Sequence, residues 1–163
     1  MKFFTREWHG GDDDEPDGRF EAYRVHLDGI LSRLPPRLLT FAKAVNVHDA
    51  LVRQVRLDRR ARALTLDLRV GNTGSGYFDL DIHYGGLQLA TLDGQALARI
   101  AQNQRAEALY DEFDLAPNGR FVHRWLWWPY EDVDLEFESF EFTCEPRDGR
   151  EFEYPAAPFV EIA

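Results

Sequence analysis

Residues 108–128 read ALYDEFDLAPNGRFVHRWLWW, two apolar and aromatic segments on either side of Pro117-Asn118-Gly119. Asn-Gly is the strongest short-range signal for a β-hairpin, because both residues tolerate the positive backbone angles of a tight turn. The sequence therefore predicts two antiparallel strands, over residues 108–115 and 121–128.

Alternation of apolar and polar residues continues on both sides of this hairpin. It is clearest where Leu64, Leu66, Leu68 and Val70 alternate with polar residues, a pattern typical of a strand with one buried face. The remaining predicted strands cover residues 51–57, 64–70, 77–84, 87–92 and 133–143.

Helical periodicity appears before the strands and once between them. Apolar residues recur at spacings of three and four from Phe20 to Leu34, which predicts an amphipathic helix that ends at Pro35-Pro36. A short helical turn is predicted over residues 37–43. Asp93 is a suitable N-cap for a further helix to about Asn103.

These elements predict the fold class and the domain organisation. The fold is expected to be α+β, a largely antiparallel sheet of about six or seven strands with an N-terminal helix and a second helix covering one face. The length of 163 residues suits one domain. Within it, we expect an acidic N-terminal loop over residues 1–18 and an extended C-terminal tail over 148–163.

The charge of the chain is strongly negative and unevenly distributed. The formal net charge is -10, from 19 basic and 29 acidic residues. Residues 1–75 carry 13 basic and 11 acidic residues, whereas residues 76–163 carry 6 and 18. Such a field repels phosphate groups, so a partner that is a nucleic acid or an anionic membrane is not expected.

Cysteine usage and the first residues predict the compartment and the cofactors. Cys144 is the sole cysteine, which excludes an intramolecular disulfide and every multi-cysteine metal scheme. The first residues contain no apolar segment of signal-peptide type, and no run reaches transmembrane length. We therefore expect a cytoplasmic protein with no membrane association, no cofactor and no metal.

The last predicted strand carries a row of acidic residues. Asp132, Asp134, Glu136 and Glu138 share one parity, opposite to the apolar residues between them, and a bulge near Ser139 would return the next aromatics to the core side. A row of like charges costs stability through mutual repulsion, and complementarity to a cationic partner is a natural use for it. The alternative is a solvated strand face that prevents edge aggregation.

Three tryptophans and an acidic segment complete the predicted partner-binding residues. Trp125 and Trp127 share one strand face and Trp128 takes the other; they either pack in the core or anchor an interface. The acidic segment Asp12-Asp13-Asp14 is a second candidate for contact with a cationic partner. Near it, Asp13, Glu15, Asp17 and Gly18 match the first ligand positions of an EF-hand, but Arg24 replaces the required final glutamate, so a calcium site is not expected.

No catalytic or metal-binding motif stands out in the sequence. His9, His26, His48, His83 and His123 show no paired metal-ligand spacing. Asp79, Asp81 and His83 share a strand face, but a single strand gives poor convergence for a metal. No serine lies in a nucleophile elbow. The prediction of no enzyme activity follows, with a small metal- or ligand-dependent enzyme using strand carboxylates and His83 or His123 as the alternative.

Several segments of the chain resemble a known but uncharacterised group of proteins. These segments are Met1 to Trp8, His48-Asp49-Ala50 with the hairpin that ends in Leu64-x-Leu66-x-Leu68, Leu109 to Glu112, and Phe121 to Arg124. In them the chain resembles a bacterial family of small acidic proteins, similar to proteins found beside polymorphic-toxin genes. The acidic segment from Gly10 to Gly18 departs from the family pattern.

The resemblance implies a function that fits the charge. It implies a non-enzymatic immunity protein that binds and neutralises a cationic toxin domain. A structural subunit of an unknown assembly is a further alternative. No sequence feature predicts the oligomeric state.

Overall fold

The computed structural model describes residues 1–9 and 16–163, with only the backbone described at 16 and 17. It has an α+β fold, as predicted. The helices are α1 (Arg6–His9), α2 (Pro16–Ile30), α3 (Pro36–Ala44) and α4 (Gly94–Gln102), with a 3-10 turn at Leu31–Arg33. The strands are β1 (Leu51–Asp58), β2 (Ala63–Asn72), β3 (Gly76–Gly85), β4 (Glu107–Leu115), β5 (Phe121–Trp128), β6 (Glu131–Phe137), β7 (Ser139–Arg147) and β8 (Phe159–Ile162).

The strands form one sheet in the order β6-β5-β4-β1-β2-β3-β7, with β8 added beside β1. The two end strands, β6 and β7, are separated in sequence by Glu138 alone, so the sheet curves back towards its own beginning. Glu138 donates its N–H to the carbonyl of Gly85 at 2.9 Å, and Gln88 donates to that of Glu136 at 2.8 Å. The parity shift predicted near Ser139 is present as this break, because Phe137 and Phe140 are both buried.

β1 changes its neighbour along its length, which leaves part of β4 without a strand beside it. β1 pairs with β4 only at Leu51 and Glu107, and from Val55 onwards it pairs in parallel with β8. Helix α2 covers the far end of the β4 edge, where the Phe113 N–H donates to the Tyr23 hydroxyl at 2.7 Å.

The core fills the inside of the curved sheet. Phe41 of α3 is fully buried and its ring lies 5.1 Å from that of Phe140 and 5.8 Å from that of Phe113. Helix α4 covers the sheet with Leu97 and Ile100, and it begins as predicted with Asp93 accepting a hydrogen bond from the Ala96 N–H at 2.9 Å. Burial of one such large apolar side chain stabilises the fold by about 1.5–3 kcal/mol.

Several predicted boundaries are corrected. Residues 87–92 form no strand. Leu87, the first of them, donates its N–H to the carbonyl of Arg62 in the turn between β1 and β2. Helix α1 lies inside the segment 1–18 that was expected to be a loop, and the tail 148–163 contains β8. Asp12, Asp13, Asp14 and Glu15 lie outside the described residues. No helix of the described chain is both long and apolar enough to cross a membrane.

Candidate functional site

The four carboxylates of the acidic row on β6 and at Glu138 are paired within the chain. The ion pairs are Asp132 with Arg6 at 3.0 Å, Asp134 with Arg124 at 3.4 Å, Glu136 with Arg120 at 3.2 Å, and Glu138 with Arg62 at 3.9 Å and with Arg120. The Asn118 side-chain amide also donates to Glu136 at 2.8 Å. The row therefore does not present four unmatched negative charges.

Strand pairing explains why the arginines lie there. Arg124 of β5 stands directly opposite Asp134 of β6 in the sheet register, and Arg120 lies in the hairpin that carries β5. Opposite charges on neighbouring strands stabilise a sheet, so the row needs no external partner to offset its repulsion. The prediction of a cationic partner assumed that these carboxylates are unmatched, and this assumption is wrong. Contact of these residues with a partner stays a prediction.

The tryptophans divide between the core and the surface. Trp125 and Trp127 are 0% and 2% exposed and stack with a centroid distance of 5.1 Å, so they are core residues and cannot anchor a partner on the folded surface. Trp128 is 44% exposed. It borders an open cleft of about 710 Å³ in which arginines and glutamates both occur, and Arg150 pairs with Glu107 across it at 2.6 Å. The mixed charge of this cleft favours no ligand class.

A second cavity, which we call the aromatic pocket, combines aromatic walls with one carboxylate. Its volume is about 340 Å³. It is lined by Phe4, Phe20, Tyr23, Asn46, His48, Leu109, Tyr110 and Asp111. Among the described residues, no lysine or arginine lines it. Asp111 supplies the only acidic side chain of this lining.

Phe4 holds the aromatic walls together. Its ring lies 4.9 Å from Tyr110, 5.1 Å from Phe20 and 5.4 Å from Tyr23, measured between centroids. Phe4 is 3% exposed and Phe20 is 47% exposed. The pocket is therefore fixed on its inner side and open to solvent on the side of Phe20.

A buried glutamate holds Phe4 in place. Glu112 is fully buried and accepts three main-chain hydrogen bonds, from Lys2 at 2.8 Å and from Phe3 and Phe4 at 2.6 Å each. A carboxylate that accepts several N–H bonds forms strong, charge-assisted contacts. Adjacent residues of a strand point to opposite faces, so Glu112 shares its face with Tyr110, on which the Phe4 ring stacks, whereas the Asp111 side chain points the other way, towards His123.

Asp111 is the outer end of a buried hydrogen-bond chain. Its Oδ2 lies 2.9 Å from Nε2 of His123, and Nδ1 of His123 lies 2.8 Å from the Tyr84 hydroxyl. The Trp125 indole N–H donates to the same hydroxyl at 3.3 Å. Because an ionised carboxylate only accepts, the proton of neutral His123 lies on Nε2 and is donated to Asp111. Nδ1 is then an acceptor, so the Tyr84 hydroxyl donates to it.

Burial sets the protonation of this chain. It lowers the pKa of His123 below its ordinary value of 6.5, against the opposing effect of Asp111. It raises the pKa of Tyr84 well above 10, with a smaller opposing effect from the Trp125 hydrogen bond. Histidine and tyrosine are thus held neutral within this hydrogen-bond chain.

In the described chain, Asp79, Asp81 and His83 do not come together as a metal site. Asp79 is buried and paired with Arg69 at 2.7 Å, with Arg147 at 2.5 Å and with Arg53 at 3.2 Å, which withdraws it from Asp81 and His83. Within residues 1–9 and 18–163, no group of three or more histidine, cysteine or acidic side chains is arranged to hold a metal.

Sequence reasoning missed the aromatic pocket. Its walls come from residues as far apart as Phe4 and Tyr110, at no regular spacing, and Phe4 was noted only within the opening segment. His123 was considered among the single histidines, and Asp111 only within the segment Leu109 to Glu112. The one signal that could have joined them is the hairpin itself, because its turn sets the register that brings β4 and β5 side chains together.

No family model, no curated protein and no solved structure matches this chain.

Proposed function

We propose that this protein is a non-enzymatic binding protein whose aromatic pocket receives a basic side chain of a cationic protein partner. The observation that carries the proposal is a pocket that combines aromatic walls with the acidic residue Asp111 and whose described lining contains no basic side chain besides His48. Aromatic faces attract cations through their ring quadrupole, by about 0.5–2 kcal/mol for each contact. A carboxylate at the same site adds charge complementarity.

The surroundings of the pocket support a cation over an anion. The pKa of Tyr23 is raised, first by burial and then by the negative charge of Asp111. The pKa of Tyr110 is raised by burial and by the negative charge of Asp49. Two walls of the pocket thus experience a negative potential, and the net charge of -10 acts in the same direction over a longer range.

Binding is favoured over catalysis by the direction of the buried chain. An aspartate, a histidine and a hydroxyl follow one another, as in nucleophilic enzymes. Here the hydroxyl of Tyr84 is at the inner end and fully buried, whereas the carboxylate is at the pocket. The hydroxyl cannot reach a ligand in the pocket, and the chain instead orients Asp111.

A toxin domain is the partner class that we propose. The resemblance of the opening segment and of the hairpin to proteins found beside polymorphic-toxin genes supports this choice, together with the acidic charge. The test is to produce this protein together with candidate toxin domains and to measure growth. We expect this protein to relieve the growth arrest caused by its partner domain, and the Asp111→Asn variant to lose this protection.

The pocket itself is tested by titration with n-butylammonium, the smallest mimic of a lysine side chain, followed by NMR. We expect shifts at the pocket residues, and about tenfold weaker binding to Asp111→Asn, because loss of one charge contact of about 1.4 kcal/mol changes affinity tenfold. Asparagine keeps the shape of the side chain and an acceptor for His123.

The control variant is Asp81→Asn, which removes the same charge from an exposed position on β3. It should bind n-butylammonium as the unaltered protein does. Equal binding by Asp111→Asn, or equal binding of neutral n-butanol, would show that the pocket does not recognise a cation.

A further inference from the structure

The edge of β4 beside the aromatic pocket is occupied at two places and open between them. At Ala108, the N–H donates to the Ala50 carbonyl at 2.9 Å and the carbonyl accepts from the Asp49 N–H at 2.8 Å. At Phe113, the N–H donates to the Tyr23 hydroxyl at 2.7 Å, and the carbonyl lies 3.2 Å from Nε2 of His26. Both residues therefore direct their main-chain groups away from β5.

The main-chain groups of Asp111 point to the same side. In an antiparallel pair, every second residue turns its N–H and C=O towards the neighbouring strand, and the residues between turn them outwards. Asp111 lies two residues before Phe113, with regular register to β5 from Tyr110 to Leu115. In the described chain no group outside the sheet bonds to the N–H or the carbonyl of Asp111.

Asp111 thus offers three groups to one ligand. Its N–H and carbonyl lie at the open edge of the strand, and the residue lines the aromatic pocket with a carboxylate of which, among the described residues, only Oδ2 is engaged, by His123. A free amine would use the carboxylate alone. A peptide in extended conformation would use all three, because its main chain carries both a donor and an acceptor.

We infer that an extended segment of the partner adds to β4 at Asp111, and that a basic side chain of this segment enters the aromatic pocket. One residue of the segment exchanges two main-chain hydrogen bonds with Asp111. The Asp49–Ala50 turn and helix α2 limit the added strand to this short stretch. The inference rests on the proposed function, since the same pocket holds the cation. It adds that the cation is a side chain of a peptide segment in extended conformation.

The test compares three probes by NMR titration of the whole protein. They are n-butylammonium, the peptide acetyl-Ala-Ala-Lys-Ala-Ala-amide, and the same peptide with methyl groups on its main-chain nitrogens. Two main-chain hydrogen bonds of ordinary net strength correspond to about tenfold or more in affinity. We expect the peptide to bind tighter than n-butylammonium by that factor, and the methylated peptide to lose the gain.

Hydrogen exchange of the Asp111 amide gives an independent readout. The peptide should slow this exchange, whereas n-butylammonium should leave it unchanged, because only a peptide carbonyl reaches the Asp111 N–H. The amide of Asp81, which lies in β3 between β2 and β7, is the internal control and should exchange at the same rate with either probe.

The outcomes separate the two proposals. If n-butylammonium and the peptide bind equally and the Asp111 amide stays unprotected, strand addition is refuted while the cation pocket stands. If the peptide with norleucine in place of lysine binds as tightly as the lysine peptide, the cation pocket is refuted. Failure of every probe to bind refutes both.

Discussion

Glu112 is the residue at which a small change should separate the N-terminal segment from the sheet. The substitution Glu112→Gln keeps the size of the side chain but replaces one acceptor oxygen with an N–H₂ group. Glu112 accepts from the main-chain N–H groups of Lys2, Phe3 and Phe4, the first through Oε2 and the other two through Oε1. Glutamine has one carbonyl oxygen, which can accept from the N–H groups bound by one of the two glutamate oxygens. Its NH₂ group then faces the N–H group bound by the other oxygen and cannot accept from it.

The expected cost follows from the hydrogen bonds that are lost. A hydrogen bond to a charged group contributes about 1.5–3 kcal/mol. Loss of one such bond, with weakening of the other two, should lower the free energy of unfolding by about 2–3 kcal/mol. If the segment opens locally, its amides should exchange about thirty to one hundred times faster, since each 1.4 kcal/mol is a factor of ten.

Two measurements check this prediction. Urea unfolding followed by tryptophan fluorescence gives the free energy of unfolding, and NMR-detected hydrogen exchange reports the amides of Lys2 to Phe4. The matched control is Glu107→Gln on the same strand, whose carboxylate pairs with Arg150 near the surface. That pair should contribute about 1 kcal/mol or less.

The reasoning would be refuted if Glu112→Gln were no less stable than Glu107→Gln. It would also be refuted if the amides of Lys2 to Phe4 kept their protection. In the expected case, n-butylammonium binding should weaken as well, because Phe4 forms the inner wall of the aromatic pocket.

Two further predictions concern buried or paired charges. Burial lowers the folded-state pKa of His123 below 6.5, so below pH 6.5 the unfolded chain binds this proton more readily than the folded protein does. As the pH is lowered, the free energy of unfolding should therefore decrease by up to about 1.4 kcal/mol per pH unit. In urea titrations at pH 5 to 7, His123→Asn should remove this part of the slope, whereas the control His83→Asn, at an exposed position, should keep it. Arg120→Gln should leave Glu136 and Glu138 less well paired and lower the free energy of unfolding by about 1–2 kcal/mol. Added salt should recover part of that loss by screening the repulsion, and a loss independent of salt would contradict an electrostatic role.

The predictable part of the fold is the part encoded by local patterns. The Asn118-Gly119 turn, the N-cap at Asp93 and the alternation from Leu64 to Val70 each depend on neighbours in sequence, and each was placed correctly. The segment 87–92 was misassigned because Leu87 and Leu89 alternate like a strand, whereas the bond from the Leu87 N–H to Arg62 holds it in a turn.

The site depended on contacts that no local pattern encodes. The acidic parity of Asp132 to Glu138 was read correctly, but its arginines come from β5, from the hairpin turn and from the distant residues Arg6 and Arg62. Their arrangement follows from sheet register and curvature. The interpretation of the row therefore changed once its partners were known, although the residues themselves had been identified.

By itself the sequence determined the α+β class, the antiparallel hairpin, the negative charge and the faces on which alternating residues lie, because these follow from composition and from spacings of two to four residues. Only the tertiary structure decided which of the charges are paired within the chain. It buried Trp125 and Trp127, paired the acidic row, and placed Asp111 in the lining of a pocket whose aromatic rings come from the N-terminal residues and from β4. The physical reason is that burial and long-range pairing depend on how the sheet curves, which is a property of all its strands together.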